Sequence, residues 1–186
     1  LRSTWRHDFE RNASAEVAEL VKIKEAAGLK VSLCIPTLNE EGTIARVVSV
    51  LRESLMVRHP LLDELVVIDS GSSDRTRALA AEAGASVTLA AEILPFQGNR
   101  PGKGENLWKA VHHLSGDILC FVDGEIGNIH PRFVLRTVGP LLRHADLAYV
   151  KGFYERPLLA AEGVDPRGGG RVTEIDQSTW RGGADG

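Results

Sequence analysis

The sequence contains no long apolar run and only two cysteines, and each absence excludes a class of protein. No stretch approaches the roughly 18 consecutive apolar residues that a membrane-spanning helix requires, and residues 1–9 carry charges in place of the apolar core of a signal peptide. Cys34 and Cys120 each lie inside an apolar run, which favours buried reduced thiols over a disulfide or a nucleophile. We therefore expect a cytoplasmic protein that does not contact a membrane.

A basic excess is also missing. The chain has 22 Lys and Arg against 25 Asp and Glu, a formal charge of −3, and this balance argues against the broad positive surface of a nucleic-acid-binding protein. A few local cations could still bind a small anion. The 186 residues, of which 43% are hydrophobic and 25% charged, have the length and composition of one globular domain with a core of its own.

Short apolar segments alternate with amphipathic ones along most of the chain. Residues 1–29 form an N-terminal helical segment, with a helix predicted at 14–27 that Ser14 caps and Gly28 ends. Strands are predicted at residues 31–35, 65–68, 86–89, 118–122 and 147–154, and the last helix at 132–143. The strands are continuous apolar runs, which is typical of parallel strands covered on both faces. The sequence therefore predicts a mostly parallel, Rossmann-like α/β sheet flanked by helices, with ligands bound at the carboxyl ends of the strands.

Acidic residues follow three of the predicted strands at this edge. Asp123 and Glu125 come directly after the fourth strand, and two carboxylates at this spacing can converge on one hard cation such as Mg²⁺ or Mn²⁺. Such an ion can neutralise charge on a departing diphosphate; a pair of solvated turn acids is the alternative. Asp69 and Glu40 can accept hydrogen bonds from a nucleoside, or can instead cap a helix N-terminus.

A lysine flanked by glycines precedes a helix predicted at 104–114. Backbone N–H groups at such a helix start attract phosphate, and Lys103 adds a positive charge; an ordinary glycine turn with a surface lysine is the alternative. The spacing differs from that of a P-loop, and residues 36–41 lack the glycines of a dinucleotide site. Trp108 and Val111 share an apolar face of this helix, so we expect Trp108 to pack in the core.

Three strand ends together resemble the donor half of glycosyltransferases of the GT-A fold. They are residues 35–41 (Ile-Pro-Thr-Leu-Asn-Glu-Glu), 69–74 (Asp-Ser-Gly-Ser-Ser-Asp) and 123–125 (Asp-Gly-Glu). Three further stretches, at 100–108, 153–158 and 168–174, are similar to the family of glucosyl-3-phosphoglycerate and mannosyl-3-phosphoglycerate synthases, which are retaining glycosyltransferases. The resemblance runs from about residue 31 to residue 175.

The resemblance implies a role for each site residue. Asp123 and Glu125 would bind the Mg²⁺ or Mn²⁺ ion, and with Lys103, which would contact the donor, they form the implied catalytic set. The implied nucleotide-sugar site consists of Pro36, Thr37, Leu38, Glu40, Ser70, Lys103, Asp123 and Gly124. The implied site for the acceptor, 3-phosphoglycerate, consists of Gly170, Arg171 and Thr173, and a guanidinium group suits both its phosphate and its carboxylate. Members of the family associate as dimers, so the resemblance also suggests a homodimer.

Two departures from the family pattern bear on these expectations. The family's acidic motif is usually Asp-Ser-Asp, whereas this chain has Asp123-Gly124-Glu125. The family also continues past residue 175 and supplies there a further metal-binding histidine and acceptor contacts.

The activity that the resemblance implies is transfer of mannose or glucose from a GDP- or UDP-sugar to 3-phosphoglycerate. The overall resemblance favours mannose from a GDP donor.

The domain organisation expected from these patterns has four parts. A nucleotide-sugar-binding domain spans residues 30–158 after the helical segment, the start of an acceptor-binding region spans 159–175, and residues 176–186 form a tail. The fold is thus expected to be truncated in its acceptor half. Two alternatives stay open: another GT-A glycosyltransferase with a lipid-phosphate acceptor, and a non-catalytic nucleotide-binding fragment.

Overall fold

Four parallel strands form the centre of the structure. The computed structural model describes residues 2–152, 158–160 and 163–165. The strands are β1 Val31–Thr37, β2 Glu64–Asp69, β3 Ser86–Leu89 and β4 Ile118–Phe121. Their order is β3-β2-β1-β4, and every neighbouring pair is parallel. The predicted parallel α/β fold is therefore confirmed.

Helices cover both faces of this sheet. They are α1 Arg2–Ala27, α2 Ile44–Arg52, α3 Thr76–Glu82, α4 Lys103–His113 and α5 Arg132–Arg143. Short irregular helices extend the set: a π-helical turn at Glu53–Val57 continues α2, and 3₁₀ turns lie at Ala90–Glu92 and Pro95–Gln97. None of the helices in the described part of the chain is both long and apolar enough to cross a membrane.

The core consists of two apolar clusters, because successive side chains of a strand point to opposite faces. Leu33 and Val67 belong to the larger cluster, together with buried residues of α1, α2, α3 and α5. Cys34 and Val66 belong to the smaller cluster, together with Ala110 of α4. The sheet thus separates α4 from the other helices, and both cysteines are buried free thiols as expected.

The N-terminal helix is longer than the sequence predicts. Val17, Leu20 and Val21 form its buried face, and the helix ends before Gly28 as predicted, where φ is +66°. The predicted start is wrong, because α1 begins at Arg2. Ser14 therefore lies inside the helix and caps nothing, and its hydroxyl contacts His59 Nε2 at 3.2 Å instead.

The fifth parallel strand predicted at 147–154 is absent over the residues that the structure describes there. Residues 147–152 have no strand geometry, and Leu147 and Tyr149 are 41% and 77% exposed. Strand-forming residues adopt a ladder only where a neighbouring strand completes their hydrogen bonds, and this segment is not part of the four-stranded sheet. Residues 153 and 154 lie outside the described residues.

Helix α4 turns a different face to the sheet than its apolar residues suggest. Trp108 and Val111 are 42% and 56% exposed, so the expected core packing of Trp108 is wrong. The buried residues are Asn106, Lys109 and Ala110. Asn106 Nδ2 donates to the carbonyl oxygen of Ile68 at 2.9 Å, and these polar contacts outweigh the apolar stripe in setting the rotation of the helix.

The chain divides into two compact units between Lys151 and Gly152. The first contains the four-stranded sheet and its helices. Two antiparallel strands are described in the second, β5 Leu158–Ala160 and β6 Gly163–Asp165. The domain boundaries proposed after residues 158 and 175 remain predictions.

Candidate functional site

A pocket of about 250 Å³ opens at the carboxyl edge of the sheet. The ends of β1, β2 and β4 and the start of α4 supply its walls, as expected for parallel strands. Its lining residues are Pro36, Thr37, Leu38, Glu40, Ser70, Gly102, Lys103, Asn106, Asp123 and Glu125. Every residue that the sequence assigns to the nucleotide sugar lines this pocket, with the exception of Gly124.

Gly124 lies directly behind the pocket wall. A Cβ atom at this position would collide with Glu40 Oε2 and would lie 3.0 Å from Thr37 Cγ2. The Glu40 carboxyl group therefore occupies the space that a side chain at position 124 would need. In this chain the glycine of the Asp-Gly-Glu stretch lets the first and fourth strand ends approach each other closely.

Asp69 organises the loop after β2. Its side chain is fully buried, and Oδ1 accepts hydrogen bonds from the backbone N–H groups of Gly71 at 2.9 Å and Ser72 at 2.8 Å. Thr37 Oγ1 donates to Oδ2 at 3.2 Å and joins this loop to β1. The sequence left Asp69 either to bind a nucleoside or to cap a helix N-terminus. It does not cap α3, which begins at Thr76, its nucleoside role stays a prediction, and Ser70 is the loop residue that reaches the pocket.

The loops after β1 and β2 are joined by side chain to backbone hydrogen bonds. Ser72 Oγ accepts from the N–H of Asn39 at 2.8 Å, and Asn39 Oδ1 accepts from the N–H of Ser73 at 2.9 Å. Thr76 Oγ1 accepts from the N–H of Glu40 at 2.7 Å. Asn39 adopts φ +57°, a left-handed conformation that asparagine tolerates. This network fixes the backbone that presents Pro36 to Glu40 to the pocket.

Lys103 and Asp123 face each other across the pocket. Lys103 is the first residue of α4, and its Nζ donates a charge-assisted hydrogen bond to Asp123 Oδ1. The side chains are 54% and 28% exposed, so a bound anion or cation could reach either of them. The sequence expectation that the acid pair and Lys103 share one rim agrees with this arrangement.

Glu40 lies in an environment that disfavours its charge. Burial and the neighbouring carboxylates of Glu125 and Asp123 raise the pKa of its side chain from 4.5 to about 7, and Lys103 offsets part of that rise. Its Oε2 atom is buried with no hydrogen-bond partner among the described residues. The floor of the pocket, formed by Glu40, Asp123 and Glu125, is therefore a cluster of acidic groups with Lys103 beside it.

The donor set of this floor suits a hard divalent cation. Within the part of the chain that the structure describes, no three His, Cys, Asp or Glu side chains are arranged to hold a metal ion. Asp123 and Glu125 would thus contribute two carboxylates, and Mg²⁺ or Mn²⁺ commonly completes such a partial protein shell with phosphate oxygens and water. The pKa of Glu40 shows that the local field favours added positive charge.

Gly102 and Asn106 also line the pocket, although sequence reasoning assigned neither of them a role. Asn106 follows Lys103 by three residues on the same helix, so helical periodicity places both on one face. That spacing is the signal in the sequence that points to Asn106. The predicted acceptor residues Gly170, Arg171 and Thr173 lie outside the described residues.

The parallel sheet, with an acid pair and a lysine in one pocket at its carboxyl edge, has the architecture of a glycosyltransferase domain of the GT-A type. Residues 32–154 match Glycosyl transferase family 2, and the chain belongs to this family.

The similar proteins include two kinds of phosphoglycerate hexosyltransferase. Glucosyl-3-phosphoglycerate synthase of Petrotoga mobilis is 48% identical over 170 residues, which cover 91% of this chain and 52% of that protein. The crystal structure of the Mycobacterium tuberculosis enzyme in complex with Mn²⁺, uridine-diphosphate and phosphoglyceric acid has 44% identity and a TM-score of 0.63, covering 68% of this chain and 43% of that one. Mannosyl-3-phosphoglycerate synthase from Rubrobacter xylanophilus has 30% identity and a TM-score of 0.63, covering 66% and 39%. The chain spans about half the length of the curated relatives it matches.

Proposed function

We propose that this chain is the donor-binding half of a retaining hexosyltransferase that moves glucose from UDP-glucose to 3-phosphoglycerate. The observation that carries the proposal is the pocket at the sheet edge, to which the strand ends bring an acid pair and residues 36–40 and the start of α4 brings Lys103. Relatives at 43–48% identity are glucosyl-3-phosphoglycerate synthases, while the mannosyl enzyme is 30% identical. This difference favours glucose over the mannose expected from the sequence.

The roles proposed for the pocket residues follow from their chemistry. Asp123 and Glu125 would hold Mg²⁺ or Mn²⁺, which supplies positive charge against the leaving diphosphate. Lys103 would contact the donor diphosphate from the start of α4. The Pro36–Leu38 wall, Glu40 and Ser70 would hold the nucleoside. Catalysis would then consist of positioning and charge stabilisation.

The acceptor assignment is also a proposal. Gly170, Arg171 and Thr173 would bind the phosphate and carboxylate of 3-phosphoglycerate, because arginine pairs with both groups in a bidentate manner. The proposed assignment predicts that Arg171→Ala raises the apparent KM for 3-phosphoglycerate and leaves UDP binding unchanged. An unchanged KM would favour a different acceptor, such as a lipid phosphate.

The test is a donor screen on the 186-residue chain with 3-phosphoglycerate as acceptor. UDP-glucose, GDP-glucose, UDP-mannose and GDP-mannose are each supplied with Mn²⁺, and product is measured by mass spectrometry. Because the chain spans about half the length of its relatives, we expect it to bind UDP-glucose most tightly and any product to be glucosyl-3-phosphoglycerate. Both should be lost in Asp123→Ala and kept in Asp146→Ala, which removes an exposed acid outside the pocket. UDP binding without product would limit the proposal to donor binding, and full activity of Asp123→Ala would reject the metal role.

A further inference from the structure

Lys109 is a fully buried lysine that the proposed chemistry does not use. Its side chain has 0% exposure, and lysine is almost never fully buried unless it is paired. It lies nearly two turns after the start of α4 and belongs to the face that packs on the sheet. A buried ammonium is costly unless all of its hydrogens are bonded, so its contacts indicate what it holds in place.

The ammonium group of Lys109 connects three separate pieces of chain. Nζ donates to the carbonyl oxygens of Ala90 at 2.6 Å and Gly98 at 2.9 Å, and to Asn99 Oδ1 at 2.9 Å. It also lies 3.4 Å from Glu105 Oε1 in the first turn of α4. These contacts tie the segment after β3 and the residues before α4 to the helix itself.

The tied residues lead directly into the pocket. Gly98 and Asn99 begin the short connection that ends at Gly102 and Lys103, both of which line the pocket. Both Gly98 and Gly102 have positive φ, +82° and +119°, so this connection follows a path that only glycine adopts readily. Few hydrogen bonds are described for the 98–102 connection. Lys109 donates two of them, to Gly98 and Asn99 at its beginning.

We propose that Lys109 is a positioning residue, which fixes the 98–102 connection and thereby sets where Lys103 meets the donor. This inference rests on the proposed donor site but concerns a residue outside the pocket. Without the ammonium, the buried carbonyl of Ala90 and the partly buried carbonyl of Gly98 lose their donor, and the connection would shift towards water to satisfy them. The wall formed by Gly102 and Lys103 would shift with it.

A second buried lysine provides the matched control. Lys24 has a side chain that is 6% exposed, and its Nζ donates to Pro60 O at 2.8 Å and to both carboxylate oxygens of Asp63 at 2.9 Å. Asp63 also accepts from the N–H of Val31, the first residue of β1, so Lys24 belongs to the amino edge of the sheet. It therefore has the same chemistry and similar burial at the opposite edge from the pocket.

The test compares Lys109→Met with Lys24→Met, since methionine keeps much of the length of the side chain and removes its hydrogen-bond donors. UDP binding with Mn²⁺ is measured by calorimetry, stability by thermal melting, and the amides of Gln97, Gly98 and Glu105 by hydrogen exchange. We expect both variants to melt earlier. Only Lys109→Met should weaken UDP binding, by about tenfold or more, the scale on which outer-shell partners act, and only Lys109→Met should speed exchange at those amides.

Each outcome decides the proposal. A Lys109→Met protein that melts earlier but keeps its UDP affinity and its amide protection would overturn it, since that result describes an ordinary core lysine. If Lys109→Met does not fold, Asn99→Ala replaces it, because Asn99 is exposed and its loss removes only one acceptor. The Asn99→Ala change should weaken UDP binding a few-fold without lowering the melting temperature, and an unchanged affinity would refute the proposal. If the unaltered chain binds no nucleotide, the proposed function fails, while hydrogen exchange still tests whether Lys109 holds the connection.

Discussion

At the scale of single residues, Glu40 is the carboxyl group whose ionisation the folded structure most clearly disfavours. Burial and the carboxylates of Glu125 and Asp123 raise its pKa to about 7. The folded chain thus binds a proton at Glu40 more tightly than the unfolded chain does. The stabilisation from this proton is complete below the ordinary pKa of 4.5 and is lost as the pH rises through about 7.

Glu40→Gln tests this pH dependence, because glutamine resembles the protonated acid at every pH. We expect the variant to melt at a higher temperature than the unaltered chain at about pH 8 and at nearly the same temperature at about pH 5. The measurement is thermal unfolding in EDTA, so that no divalent cation compensates the charge. Glu82→Gln, an exposed acid on α3, should show no such pH-dependent gain; an equal gain in both variants would contradict the assignment.

The identities of the pocket residues could largely be predicted, whereas their mutual contacts could not. Leu38, Ser70 and Asp123 follow different strands, and the rule that parallel strands end at one edge is sufficient to bring them together. The contact between Gly124 and Glu40 depends on the side-chain conformation of Glu40, which no spacing encodes. That Asp69 holds the loop after β2, a role the sequence did not offer for it, likewise emerged only from the hydrogen bonds of the folded loop.

At the level of the elements, the turn between α4 and β4 is fixed against β1 and β2. Ser32 Oγ on β1 donates to Glu64 Oε1 and accepts from the N–H of Gly116 at 2.8 Å. Glu64 Oε1 also accepts from the N–H of Ser115 at 2.6 Å. A Cβ at Gly116 would lie 2.7 Å from the backbone nitrogen of Ser32, which cannot move without disturbing the strand.

Gly116→Ala should therefore destabilise the fold. Overpacking against buried backbone typically costs about 1–3 kcal/mol, and the midpoint of urea unfolding should fall accordingly. Gly42→Ala is the matched control, because a Cβ there meets nothing within 4 Å and should change stability by less than about 0.5 kcal/mol. Equal midpoints for the two variants would show that the turn adapts to the added methyl group.

The elements themselves followed the sequence where apolar periodicity was strong. The predicted bounds of β3 and α5 agree with the structure, and α5 buries the apolar face that its periodicity indicates. The face of α4 did not follow, since hydrogen bonds from Asn106 and Lys109 set its rotation. The strand expected at 147–154 is not formed over residues 147–152, because strand pairing depends on the assembled sheet and not on the segment alone.

At the level of the whole molecule, the balance of charge differs between the chain and its pocket. The chain carries a formal charge of −3 from 25 Asp and Glu and 22 Lys and Arg. Among the described residues that line the pocket, Glu40, Asp123 and Glu125 are acidic and Lys103 is the one cation. The charge of Lys103 is engaged by Asp123, so a diphosphate entering the pocket would meet net negative charge.

Binding of UDP should therefore depend on a divalent cation. With the carboxylate of Asp123 neutralised by Mn²⁺, Lys103 is released from its partner and can contact a phosphate group. We expect the Kd of UDP for the chain to rise at least ~10-fold, about 1.4 kcal/mol, when EDTA replaces Mn²⁺ in calorimetric titrations. Uridine is the matched control ligand, because it lacks the diphosphate and its affinity should be the same in both buffers. Asp123→Asn should remove most of the difference between the buffers. Equal UDP affinity in Mn²⁺ and EDTA, or a cation dependence of equal size for uridine, would contradict the electrostatic origin of the effect.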